Sequence, residues 1–137
     1  MRISWKDYAL KIAEVTTLRS EDPFMKVGAV VLNKENRVVG VGYNGLASGK
    51  NVTEEFWKDR DERRKYMIHA EANALLNVKR GEGDLLACTL LPCGSCATLI
   101  AAHGIKRVVY KEVYKRDISS LEIFKFYGIE CEQLNCH

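Results

Sequence analysis

The chain has 137 residues, 47% of them apolar and 28% charged, the composition of one folded domain over residues 1–137 that can bury a core without disulfide staples. Its 21 basic and 18 acidic side chains leave a net charge of +3, too mild for a protein that grips a nucleic-acid polymer, and no apolar run reaches membrane-spanning length. Five cysteines, an odd count, and a start without signal-peptide character predict a reducing, cytoplasmic setting.

The lead segment, residues 4–18, carries apolar side chains at Trp5, Tyr8, Ala9, Ile12, Ala13 and Val15, a helical period with Ser4 in the N-cap position. Arg19-Ser20-Glu21-Asp22-Pro23 breaks that helix, and residues 27–32 form a short β-rich run suited to a buried strand. Asn33-Lys34-Glu35-Asn36 supplies a hairpin turn. Residues 37–43 return as the second strand, and the glycines of Gly42-Tyr43-Asn44-Gly45 allow a sharp backbone turn. Residues 46–64 are polar and then densely charged, which fits a functional lid or, in the second half, a solvated helix.

A further helix is predicted from about His69 to Lys79, closed by Gly81, with Ala72, Leu75, Leu76 and Val78 available for packing. Residues 85–91 form a strand leading into Pro92, residues 94–103 a helix stopped by Gly104, and residues 106–110 another strand. Residues 118–127 are amphipathic and residues 129–133 make a short edge strand. This order predicts an α/β fold: a three-layer α-β-α sandwich around a central mixed sheet of five strands, with two helices entering from one side.

Two short motifs carry the chemistry, His69-Ala70-Glu71 and Pro92-Cys93-Gly94-Ser95-Cys96. One imidazole and two thiolates are three good ligands for Zn²⁺ and leave a fourth tetrahedral position for water, as catalytic sites do. Glu71 stands two residues from a ligand without being one, so it is placed to act as general base and then general acid. Cys93 and Cys96, three apart, share a face at a helix start, where the dipole favours thiolate. His69 and Glu71 would diverge by about 200° in mid-helix, so that helix must begin at about His69. A lone C-x-x-C also fits a redox pair or half of a structural zinc knuckle; the upstream His-x-Glu argues for catalysis. Cys88, Cys131 and Cys136 read as packing or tail thiols.

With Trp5, Arg19-Ser20-x-Asp22-Pro23, Val27-Gly28-Ala29, Gly42-Tyr43-Asn44-Gly45 and His69-Ala70-Glu71-x-Asn73-Ala74, the chain resembles the deoxycytidylate (dCMP) deaminase family over nearly its whole length. The resemblance implies a cytidine deaminase-like fold and hydrolysis of dCMP to dUMP and ammonia, a step that feeds thymidylate synthesis. His69, Cys93 and Cys96 would hold zinc, and Glu71 would carry the proton to N3 and then to the leaving amine. It further implies substrate contacts from Asn44 (sugar hydroxyl), Tyr114, and Arg19 with Ser20 near the 5′-phosphate. Family members are commonly hexamers that dCTP, with Mg²⁺, activates and dTTP inhibits; the matching effector region here is Gly42, Tyr43, Gly45, Lys50, Asn73 and Arg80. Ala47, Lys26 and Ile68 depart from the family pattern, which more often has proline, glutamine and cysteine there. Deaminases of cytosine, cytidine, guanine or tRNA adenosine share the zinc motifs. A regulatory nucleotide-binding scaffold without chemistry is the reading outside enzymes.

Overall fold

An unbroken apolar run makes the centre of the sheet. In the computed structural model, which describes residues 1–113 and 117–135, β1 (Gly28–Leu32) is buried at all five positions, because it has a strand on each side and helices on both faces. β1 pairs antiparallel with β2 (Val38–Tyr43) on one side and with β3 (Leu85–Leu90) on the other. β3, β4 (Arg107–Glu112) and β5 (Glu130–Gln133) then run parallel, so the order across the sheet is β2-β1-β3-β4-β5. Parallel neighbours need crossovers, and α5 (Gly94–Ala102) and α6 (Ser119–Phe126) supply them. Asn36, at φ 63°, closes the β1–β2 hairpin predicted over residues 33–36.

One helix covers one face of the sheet and three cover the other, which completes the three-layer sandwich. α1 (Trp5–Thr16) packs Ala9, Leu10 and Ala13 on Val30, Leu32, Leu85 and Ala87; α4 (Ala70–Leu75), α5 and α6 pack Ala74, Leu75, Ala97, Ile100 and Phe124 on the opposite face. Ser4 caps α1 as predicted, its hydroxyl accepting from the Asp7 N–H at 3.1 Å. The expected apolar face was too wide: Trp5, Tyr8 and Val15 are exposed, and Leu10 is in the core. The helix lies so close to β1 that a Cβ on Gly28 would collide with the Ala13 carbonyl, so small side chains line the contact and the bulky ones are left outside.

Two other expectations change. Residues 46–64 hold no long lid; their second half is helical and solvated as expected over α3 (Arg60–Tyr66), but a second short helix, α2 (Glu54–Lys58), precedes it, hinged at Asp59, whose carboxylate caps α3 through the Glu62 N–H. α4 stops at Leu75 rather than Lys79. The Leu76 N–H turns to the Asn73 carbonyl, Leu76 is 71% exposed, and Val78 rejoins the core from a turn. Gly42 and Gly40 are required by close approach, since a Cβ on either would strike the α4 backbone; neither has positive φ, so the sharp-turn explanation does not hold. No helix among the described residues is long and apolar enough to cross a membrane.

Candidate active site

α4 and α5 meet at their N-terminal ends. His69 is the N-cap of α4, with extended backbone (φ −71°, ψ 152°), which turns its ring back beside the helix start while Glu71 projects from the first turn. Cys93 is the N-cap of α5 and Cys96 lies within its first turn. His69 Nδ1 is 3.2 Å from Cys96 Sγ and 3.5 Å from Cys93 Sγ, and the three donors lie within 4.8 Å of one another. A tetrahedral zinc with ordinary bond lengths holds nitrogen and sulfur about 3.5 Å apart, so these residues fit the ion in both spacing and donor chemistry.

The electrostatics agree. Without a metal, Cys93 is lowered to about 3 by hydrogen bonds from Cys96 and His69, while the Cys96 thiol is driven far up because it donates to that thiolate and is buried. His69 is raised by the same Cys93 contact. Glu71, only 4% exposed, is pushed up to about 7 by burial. Behind it the Cys88 thiol is fully buried and raised well above its ordinary value by desolvation.

The triad faces a cleft of about 560 Å³. Its floor is His69, Glu71 and Cys93; its walls include Phe24, Met25, Asn44, Leu91 and Asp117, and, from α3, Arg60, Arg63 and Arg64. The arginines were missed because a run of mixed charge reads as solvated surface; arginines spaced three and four apart on one helix are the signal that was there. Arg63 is anchored: Nη1 donates to the Trp57 carbonyl at 3.2 Å, the guanidinium lies 4.6 Å from the Phe24 ring centroid, and Asp22 is 4.0 Å away. Asp117, also missed, accepts from the Gly94 N–H at the start of α5 and from Ser119, contacts that hold its carboxyl below the usual range.

Asn44 lines this cleft, but its carboxamide is already engaged. Oδ1 accepts from the Val27 N–H at 2.8 Å and lies 2.9 Å from the Ser20 hydroxyl, and Nδ2 donates to the Met25 carbonyl at 2.8 Å. Ser20 is buried against Asn44, and the Lys26 ammonium holds the Ser20 carbonyl at 2.6 Å. Arg19 is exposed, 6.0 Å from the Tyr43 ring centroid, and neither Arg19 nor Ser20 lines the cleft. Tyr114 lies outside the described residues. Of the effector set, Gly42 packs on α4, Asn73 Nδ2 donates to the Tyr43 carbonyl at 2.8 Å, and Gly45 bridges Ile68 beside His69. Lys50 is exposed in a turn after Gly45, and Arg80 is exposed in the chain beyond the other end of α4.

A three-layer α/β sandwich that brings an imidazole, two thiols and a buried glutamate together at two helix starts offers the donor set of a zinc site. The chain belongs to the family described as the cytidine and deoxycytidylate deaminase zinc-binding region, which matches residues 3–112. It is similar to the deoxycytidylate deaminases of Pongo abelii and Homo sapiens, each 36% identical over 117 residues, covering 79% of this chain and 65% of theirs. The chain thus spans slightly less than two thirds of those relatives. It is also similar to the dCMP deaminase of cyanophage S-TIM5 solved in complex with dCMP and dUMP: 30% identity, TM-score 0.80, covering 98% of this chain and 99% of that one.

Proposed function

We propose that this chain is a zinc-dependent deaminase, one catalytic domain over residues 1–137, that converts dCMP and water to dUMP and ammonia. The observation that carries this is Glu71, buried and unbound beside the His69–Cys93–Cys96 triad on the floor of a cleft of nucleotide size. The cyanophage enzyme's complex with dCMP and dUMP supports the substrate assignment.

His69, Cys93 and Cys96 hold the zinc, which when bound supplies Lewis acidity toward water. Glu71 does the proton work. Its carboxylate takes a proton from the water that adds to C4 of the cytosine ring, returns it to N3, and passes the second to the departing amine, so that the C4–N bond breaks and ammonia leaves. Burial raises the pKa of the Glu71 carboxyl, which makes its carboxylate a better base toward water than an exposed one. A nearby dication draws that value down again. Leu91, buried in the wall, gives the ring an apolar surface to lie against. Asn44, braced on three sides, presents a fixed edge to the sugar.

The family resemblance supports the finer features: a cytoplasmic hexamer that supplies dUMP for thymidylate synthesis, activated by dCTP with Mg²⁺ and inhibited by dTTP through Gly42, Tyr43, Gly45, Lys50, Asn73 and Arg80, with Tyr114 contacting substrate; Arg19 and Ser20, outside the cleft lining, do not belong to that set. Ultraviolet and ammonia-release assays of the zinc-loaded protein on dCMP, deoxycytidine, cytidine and cytosine, repeated with dCTP and dTTP, test the proposal. dCMP should be turned over with the highest kcat/KM; preference for another pyrimidine would overturn the substrate assignment.

A further inference from the structure

We propose that Arg64 reads the 5′-phosphate of the bound pyrimidine nucleotide and thereby sets the preference for nucleotide over nucleoside, an inference that rests on the deaminase function above. Three arginines of α3 line the cleft, and they are not equivalent. Arg63 is consumed by Trp57, Phe24 and Asp22. Arg64 is exposed and, among the described residues, makes no hydrogen bond or ion pair.

The acidic groups of the cleft do not compete for it. Asp22 accepts from the Phe24 and Met25 N–H groups at 2.8 and 3.2 Å, Asp117 is held by Gly94 and Ser119, and Glu71 is buried on the floor. Arg60 and Arg64 are four residues apart, so they share one face of α3 and both reach the cleft. A cytosine ring seated against Glu71 carries its phosphate one ribose length away, toward the rim, where a planar guanidinium can give two parallel hydrogen bonds to phosphate oxygens. Arg19, the candidate that the sequence put forward for this role, stacks near Tyr43 outside the cleft lining.

The test is calorimetric and kinetic on zinc-loaded wild type, Arg64→Gln, Arg64→Lys and Arg19→Gln. Binding of dUMP and of deoxyuridine is measured, then turnover of dCMP and of deoxycytidine. Arg64→Gln is expected to weaken dUMP and raise the KM for dCMP by about 10- to 100-fold, leaving deoxyuridine binding and deoxycytidine turnover within twofold, with partial recovery in Arg64→Lys. Equal loss on nucleotide and nucleoside would make Arg64 a structural residue and overturn the proposal, as would no loss on either, or loss of nucleotide preference in Arg19→Gln instead. If wild type itself binds dUMP no better than deoxyuridine, the nucleotide assignment fails along with the proposal, and that outcome is told apart by appearing before any substitution.

Discussion

The floor and the wall of the cleft are built on different principles. The floor is set by backbone: α4 lies against β2 so closely that Gly42 has no room for a Cβ, and the N-caps of α4 and α5 fix His69 and Cys93. The wall is set by side chains. α2 and α3 are five and seven residues long, too short to be stable on their own, and they are held by buried Trp57 and by Arg63 reaching back to the Trp57 carbonyl, Phe24 and Asp22. On the function proposed above, chemistry that tolerates little misplacement would sit on the first, and recognition of a substrate's outer parts on the second.

The contrast can be broken, beginning with the largest effect. Glu71→Gln should cut kcat by about 10²- to 10⁴-fold while zinc content, measured by atomic absorption, stays at one per chain, because the lost group moves protons and binds no metal. Zinc loss in that variant would mean that the floor depends on the carboxylate. Trp57→Ala removes the anchor of the wall and should cost about 3 kcal/mol by denaturant unfolding, with a raised KM and zinc retained. Gly42→Ala attacks the floor through its backbone contact; about 2 kcal/mol of lost stability together with weaker zinc retention under chelator challenge is expected, since α4 must shift to admit the methyl. At the small end, Lys58→Ala breaks only an exposed pair with Glu55 at 3.0 Å and should change stability by less than about 0.5 kcal/mol and KM not at all. A raised KM there would show that the outer surface of the wall also takes part in recognition.

The same division decides what could be read from the chain before folding. That His69, Cys93 and Cys96 would come together with Glu71 beside them was legible because metal chemistry restricts both residue type and spacing, and the requirement that His69 and Glu71 face one point placed the start of α4 correctly. The strands were legible from their apolar runs. Trp5 and Val15 were misread because periodicity marks an apolar stripe without saying how much of it the sheet will cover, and Gly28 narrowed that contact. Leu76 was misread because nothing local announces that α4 ends one residue earlier. Arg60, Arg63 and Arg64 were hidden by composition: in a charged run, which cation turns inward depends on Trp57, Phe24 and Asp22, the last two some forty residues away in the chain.

The Asn44 carboxamide ties Val27, Ser20 and Met25 together while its edge borders the cleft. A replacement there therefore injures the scaffold and the cleft lining in one stroke, and loss of activity in Asn44→Ala would not separate a lost cleft contact from a loosened loop. A double-mutant comparison with Ser20→Ala, in which one of the three internal ties is already cut, begins to separate the two contributions.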